Sequence, residues 1–159
     1  MSLNDNSVTV IATNKKASFL YNLLTPYNSG ISLKGSEVKA IRENKINIKD
    51  SYIIVRKNEI YIIGMYIGEY SHSGYSGHVP LRDRKLLLHR QEINKIKKEV
   101  KDVGKTLIPT KLFFKNGKVK VTFHVSKGKK VFDKRQTKKD KDIKRDIDRE
   151  MKRWFNDFI

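Results

Sequence analysis

The sequence contains no cysteine, few acidic residues and no long apolar run. Without cysteine the chain can form neither a disulfide nor a thiolate metal site, so packing must stabilise the fold. No apolar segment approaches the roughly 18–20 residues that a membrane-spanning helix needs. The opening residues, MSLNDNSVTV, lack the basic and then apolar pattern of a signal peptide. These absences predict a soluble, cytoplasmic protein that spans no membrane.

Because acidic residues are few relative to basic ones, the chain carries a large net positive charge. The 159 residues include 35 Lys and Arg against 17 Asp and Glu, a formal net charge of +18. Such a charge repels itself within a small domain unless a polyanion neutralises it. Nucleic acid is the first candidate for that partner and an anionic membrane surface is the second. An AT-rich genome, which inflates Lys, Asn and Ile, is a third explanation that involves no partner.

Several segments carry the pattern of β-strands. Residues 7–12 and 86–88 are predicted as short strands. Residues 51–67 contain two β-branched, aromatic-rich runs joined by a Lys-Asn pair, which indicates a hairpin. A second hairpin is predicted at Asn116-Gly117, because Asn-Gly between apolar runs is a strong hairpin signal.

Three segments carry helical spacing instead. Apolar residues recur at that spacing within 15–24, which predicts a helix that Pro26 ends. Ser36 is a candidate N-cap for a short helix or turn over 35–45. Residues 91–103 are predicted as a further helix.

Together these elements predict a mainly β fold with helices. About six short strands in an antiparallel order favour a small OB-like β-barrel with two or three short helices and a basic C-terminal tail. Such barrels bind nucleic acid on an open face. The predicted division is a barrel domain over 1–130 and a tail over 131–159.

The predicted tail has two parts of different composition. Residues 127–139 hold seven Lys or Arg against one Asp, and residues 140–159 hold six basic and six acidic side chains. The second part also carries one apolar stripe at helical spacing, formed by Ile143, Ile147, Met151, Trp154, Phe155 and Phe158. The stripe either packs on the barrel or belongs to a detached tail that folds only on binding. The balanced charge disfavours binding to anionic lipid.

The sequence offers no catalytic arrangement. His72 and His78 fall in a glycine-rich segment, 71–80, that is predicted as a loop with little to pack and without metal ligands nearby. No nucleophile with a paired base and no phosphate-binding glycine loop is present. We therefore expect no enzyme activity, no metal and no cofactor. The informative pattern is basic residues mixed with aromatics: Phe132 is predicted to stack on a partner, whereas Tyr52 either stacks or packs in its strand.

Five segments, in order along the chain, resemble one known family. They read IATNKKA (11–17), GISLKGSEVKAIRENKINIKDSY (30–52), PLRDRKLLLHRQEI (80–93), GKTLIPTKLFFKNGKVKV (104–121) and KGKKVFDKR (127–135). This pattern resembles the SmpB family of SsrA-binding proteins, the protein partners of tmRNA in bacterial trans-translation. Beyond residue 135 only the charge and the helical stripe are similar.

The resemblance implies an OB-type barrel that binds the tRNA-like domain of tmRNA, stands in for the missing anticodon arm and enters stalled ribosomes. It also implies delivery by the elongation factor that carries aminoacyl-tmRNA. The tail is expected to be disordered alone and helical in the decoding site and the empty mRNA channel. The implied tmRNA-binding residues are Asn14, Lys15, Glu37, Lys39, Arg42, Lys45, Asn47, Arg84, Lys85, Leu87 and His89. The implied decoding-site and tail residues are Lys127, Gly128, Lys129, Lys130, Phe132, Asp133, Lys134, Arg135, Ile143, Ile147 and Met151.

The sequence also departs from the family pattern. Asn28-Ser29 stands where the family usually has Glu-Ala, and Tyr66, Glu69 and Gly77 replace the usual His, Pro and Asn. The first departure affects an expected RNA contact, and the others affect the loop geometry of 65–80. The rival interpretations are a structural ribosomal protein, a general basic RNA-binding protein and an RNA-processing enzyme.

Overall fold

The computed structural model describes residues 7–72, 74 and 77–157. Its strands are β1 (Val8–Thr13), β2 (Tyr21–Ile31), β3 (Ile46–Asn47), β4 (Tyr52–Arg56), β5 (Glu59–Ile63), β6 (Tyr66–Ile67), β7 (Arg84–Leu87), β8 (Lys105–Lys115) and β9 (Lys118–Gly128). Its helices are α1 (Ala17–Leu20), α2 (Gly35–Arg42), α3 (Arg90–Val100) and α4 (Val131–Asp157). Phe158, predicted for the apolar stripe, and residues 73, 75 and 76 of the predicted loop lie outside the described residues.

The strand pairings form a closed circuit. The main sheet runs in the order β1-β8-β4-β5-β7-β2-β9, and β9 also pairs with β8. All of these pairs are antiparallel. A closed sheet leaves few unpaired strand edges, as in a small barrel. The prediction of a mainly β, OB-like fold with two or three short helices and a basic C-terminal tail is confirmed, with α1, α2 and α3 as the short helices.

Both predicted hairpins are present, and their turns explain why. Asn116 and Gly117 have φ values of 51° and 72°, and Lys57 and Asn58 have values of 48° and 62°. Two successive residues with positive φ are what a type I′ turn requires, and that turn matches the twist of the strands it joins. The β8–β9 hairpin joins two of the three 11-residue strands of the barrel, the third being β2.

The core follows the period-two pattern of these strands. In β9 the buried apolar side chains are Val119, Val121, Phe123 and Val125, while the residues between them are at least partly exposed. The fully buried Ile60, from β5, belongs to the same cluster. Because successive side chains of a strand point to opposite faces, the alternate residues of β9 form a row on the outside of the barrel.

The predicted helix over 15–24 is wrong beyond Leu20. Residues from Tyr21 onward form β2, which pairs with β9 from Tyr21↔Gly128 to Gly30↔Lys120. Pro26 does not end an element but lies inside this strand. The register shifts between Leu23 and Pro26, and proline is tolerated at such irregularities because it has no N–H to donate.

Three smaller predictions also need correction. The N-cap of α2 is Lys34 rather than Ser36. The third helix begins at Arg90 and ends at Val100, so Val103, 98% exposed, is not part of it. His78 is not a loosely packed loop residue, because it is buried between the Ser36 hydroxyl and the Ile67 carbonyl, each 3.0 Å from a ring nitrogen.

No helix within the described ranges is long and apolar enough to cross a bilayer.

Candidate nucleic-acid interface

A groove of about 710 Å³ lies on the outer face of the strands β7, β2, β9, β8 and β1. Its lining combines lysine side chains with an aromatic and an apolar residue. The lysines are Lys111, Lys115 and Lys120, the uncharged lining residues include Phe113 and Leu87, and Glu92 is the one acid among the described residues of the lining. This mixture is the one that positions RNA, because lysines neutralise phosphates and aromatic rings stack on bases.

The strand register places four of these positions in one continuous row. Leu87 lies opposite Gly30, Gly30 opposite Lys120, and Lys120 opposite Phe113. A Cβ on Gly30 would lie 3.3 Å from the Cβ of Leu87, so glycine leaves room for that exposed side chain. Along the row, the apolar side chain of Leu87 is followed by Gly30, which has no side chain, then by the cation of Lys120 and the aromatic ring of Phe113.

A second row runs beside the first. The Thr122 hydroxyl donates a hydrogen bond of 2.7 Å to Oδ1 of Asn28, and Lys111 lies opposite Thr122. The Lys111 ammonium is 5.7 Å from the ring centroid of Phe113, a cation–π distance. The Phe113 ring thus lies beside a cation. If a base stacked on this ring, the Lys111 ammonium could neutralise its phosphate.

The structure brings only Leu87 and His89 of the predicted tmRNA-binding residues into this groove. Lys45 and Asn47 line a separate cleft, and Lys85 pairs with Glu59 at 3.4 Å outside the groove. The exposed residues that lie elsewhere are Lys15, Lys39 and Arg42. The eleven predicted residues do not form a single surface.

Glu37 and Arg84, two of the predicted tmRNA-binding residues, are fully buried, with side chains that are 0% exposed. Arg84 Nε donates to Glu37 at 2.9 Å, and its other nitrogens donate to the carbonyls of Met65, Pro80 and Arg82. The arginine therefore ties the chain that leads into β7 to helix α2. All four of these hydrogen bonds of Arg84 are made within the protein.

Glu37 is the acceptor at the centre of this buried network. Arg82 makes two hydrogen bonds of 2.7 Å to its carboxylate, and the Lys34 backbone N–H donates a third. Burial alone would raise the pKa of Glu37, but the hydrogen bonds from Arg82 and Lys34 and the charge of Arg84 lower the pKa to about 2. The carboxylate is therefore held in its charged form.

The Lys45 side chain also makes its contacts within the protein. Its ammonium pairs with the Glu43 carboxylate at 2.9 Å and donates to the Glu69 carbonyl at 3.0 Å and the Ser71 hydroxyl at 2.8 Å. An ammonium has three N–H donors, and these three contacts use them all. Lys45 thus fastens the 69–71 segment to the end of α2, and Asn47 is one of several exposed polar residues of that cleft.

Asn14 is buried and lies in a further cleft, of about 240 Å³. Its Nδ2 donates to the Pro109 carbonyl at 3.2 Å, whereas its Oδ1 has no partner among the described residues. The side chain therefore fixes the end of β1 against β8. Its position does not coincide with the groove.

The predicted decoding-site residues lie at the junction of β9 and α4. Phe132 is 75% exposed, and Lys127, Gly128, Lys130, Asp133 and Arg135 are also exposed. Lys129 and Lys134 are half-buried. Along α4 the residues Ile143, Ile147 and Met151 are each more than half exposed, and no residue of the helix is buried. These three residues of the apolar stripe are not buried against the described part of the barrel.

Sequence reasoning missed the lysines and the aromatic ring on the hairpin, namely Lys111, Phe113, Lys115 and Lys120. The signal that could have found them is the alternation of β8 and β9. Once Leu112 and Val121 are assigned to the core, the residues beside them in sequence must face outward. That Leu87 joins them follows from the non-local pairing of β7 with β2, which no short motif encodes.

Comparison with known proteins gives consistent matches. The profile of the family described as "SmpB protein" matches residues 11–153. The SsrA-binding protein of Gloeothece citriformis is 46% identical over 155 residues, 97% of this chain and all of that protein. The SsrA-binding protein of Oleidesulfovibrio alaskensis is 46% identical over 144 residues, 91% of this chain and 93% of that protein. A solved chain described under "tmRNA-SmpB: a journey to the center of the bacterial ribosome" is 36% identical with a TM-score of 0.64, covering 76% of this chain and 85% of that one.

Proposed function

Because this chain belongs to the SmpB protein family, we propose that it binds tmRNA and acts with it in the rescue of stalled ribosomes by trans-translation. The barrel binds the tRNA-like domain of tmRNA and stands in for its missing anticodon arm. The protein is an adaptor rather than an enzyme and works in the cytoplasm. The elongation factor that carries aminoacyl-tmRNA delivers the complex to the ribosome.

The tail has a separate role in this proposal. Residues 127–135 enter the decoding site, where the exposed ring of Phe132 stacks on a ribosomal base. The stripe that includes Ile143, Ile147 and Met151 lies in the empty mRNA channel. The tail is disordered alone and becomes helical when it is bound, which costs an ordering free energy of about 2–5 kcal/mol.

The observation that carries the proposal is the groove, with Lys120 between Leu87 and Phe113. A folded RNA offers both phosphates and unpaired bases, and this row of side chains suits both. A purely electrostatic binder would need neither the exposed leucine nor the aromatic ring. We therefore place the main tmRNA contact on the outer face of β7, β2, β9 and β8.

A lysine substitution in the groove tests this placement. Lys120→Gln should weaken binding of the tRNA-like fragment of tmRNA and reduce the slope of log affinity against log salt by about 1, because one phosphate contact is lost. The matched control is Lys95→Gln on α3, an exposed lysine outside the groove that loses the same charge. Fluorescence anisotropy across a salt series measures both. Equal effects of the two substitutions would remove the groove from the proposal.

The aromatic ring is tested by Phe113→Leu, which keeps an apolar side chain but removes the stacking surface. We expect weaker binding by about 1–3 kcal/mol, the range for stacking of a base on an aromatic ring, with an unchanged salt slope. Phe114→Leu, on the opposite face of the same strand, is the control for general damage to β8. An unchanged affinity for Phe113→Leu would exclude stacking at this ring.

A further inference from the structure

Lys129 connects the barrel, helix α1 and the tail at the point where β9 ends. Its backbone N–H donates to the Leu20 carbonyl at 2.9 Å. Its ammonium donates to the Ser18 carbonyl at 2.8 Å and to the Thr137 hydroxyl at 3.1 Å. One residue thus makes contacts both to α1 and to the second turn of α4.

The length of α1 explains why its carbonyls accept these bonds. The last four carbonyls of any helix lack partners within the helix, and α1 has only four residues. Lys129 supplies N–H groups to two of these carbonyls, those of Ser18 and Leu20. The bond from the ammonium is charge-assisted and therefore stronger than a neutral one.

The contacts on the tail side reach only its first two turns. The Thr137 hydroxyl, which accepts from Lys129, donates at 2.8 Å to the Asp133 carbonyl. Within Val131–Asp157 only Lys134 and Thr137 are half-buried, and all the other residues are exposed. Lys134 and Thr137 lie three residues apart, on one face of the helix. Partial burial in α4 is thus confined to Lys134 and Thr137, both within residues 131–137, which we call the tail base.

We propose that Lys129 is a positioning residue that holds the tail base on α1 and so fixes the direction in which the tail leaves the barrel. The part of the tail that orders only on binding then begins after Thr137, rather than at residue 131. This inference rests on the proposed function for its biological meaning alone, because the geometry can be measured without tmRNA or ribosomes.

Lys130 provides the contrast. It follows Lys129 directly, is exposed, and its ammonium has no partner among the described residues. Its charge is available to rRNA, whereas two of the three ammonium donors of Lys129 are used within the protein. Two neighbouring lysines of a single basic run thus have different roles.

Hydrogen exchange of the full chain tests the contacts of Lys129. Lys129→Met keeps the length of the side chain and removes its donors, and Lys130→Met removes the same charge without removing a contact. In Lys129→Met the amides of residues 134–138 should exchange about tenfold faster, the equivalent of one charge-assisted hydrogen bond. Lys130→Met should leave them unchanged. Equal exchange in both variants, or no protection of these amides in the unsubstituted chain, would overturn the inference.

Distance measurements between spin labels test the direction of the tail. Since the chain has no cysteine, Asn94→Cys on α3 and Lys138→Cys on α4 can be labelled without background. The distance distribution should be narrow in the unsubstituted chain, broad with Lys129→Met and narrow again with Lys129→Arg, which retains N–H donors. A distribution that Lys129→Met leaves narrow would contradict a positioning role.

Activity assays separate this inference from the proposed function. Lys129→Met should slow the release of stalled ribosomes more than Lys130→Met does. A chain that does not bind the fragment at all would refute the proposed function but not the exchange or distance results. Slower release in Lys130→Met than in Lys129→Met would contradict the positioning role in the tail.

Discussion

At the residue scale, Glu37 is a buried acid whose two arginine partners come from more than 40 positions away in the sequence. Removing its charge leaves the fully buried Arg84 without a counter-charge. We expect Glu37→Gln to lower the free energy of unfolding by about 3 kcal/mol, as for other broken buried pairs. Urea denaturation measures this change. Glu59→Gln, which breaks the partly exposed pair with Lys85, is the control and should cost less than about 1 kcal/mol.

The same carboxylate predicts a specific sensitivity to acid. Its pKa is about 2 in the folded protein against an ordinary value of 4.5. A group with a lowered folded pKa stabilises fully above its unfolded pKa, and this stabilisation is lost as the pH falls from about 4.5 towards 2. The unsubstituted chain should therefore lose stability more steeply in this window than Glu37→Gln. Unfolding curves of both proteins, measured between pH 2 and 5, check this. If the free energy of unfolding falls equally steeply with pH in both, the lowered pKa of Glu37 is contradicted.

At the element scale, the tail helix α4 has no buried residue, so tertiary packing does not support most of its length. Helical stability in proteins comes mainly from such packing. A peptide of residues 133–159, which lacks Lys129, should thus be largely non-helical in plain buffer. Circular dichroism measures this, with helix-inducing alcohol as the positive control. A stable helix in buffer would refute folding coupled to binding.

The helices and strands also show which parts of the fold can be predicted from local sequence patterns. The two hairpins were predictable because their turns are local: the Asn116-Gly117 turn fixes its own strands. The strand β2 was missed because Leu23 and Leu24 fit a helical period, while the deciding partner β9 lies about 100 residues later. The buried pair of Glu37 with Arg84 is equally non-local. The alternation of side chains along a strand could have predicted which residues of β8 face outward. The groove itself could not be predicted, because it also depends on the non-local pairing of β7 with β2.

At the scale of the whole molecule, the charge of +18 draws the protein to any RNA, so affinity alone does not test tmRNA recognition. The groove adds an exposed leucine, an aromatic ring and hydrogen-bonding side chains to that charge. Phosphate contacts weaken steeply with salt, whereas stacking and apolar contacts do not. Selectivity should therefore persist as the salt concentration rises, even though total affinity falls.

Competition binding tests this account most directly. The full chain is bound to a labelled tRNA-like fragment of tmRNA and challenged with excess ordinary tRNA or duplex RNA across a salt series. We predict that the fragment stays bound preferentially at every salt concentration, because the groove recognises its folded shape. Equal displacement by every competitor would contradict the account and identify the protein as a general basic RNA-binding protein.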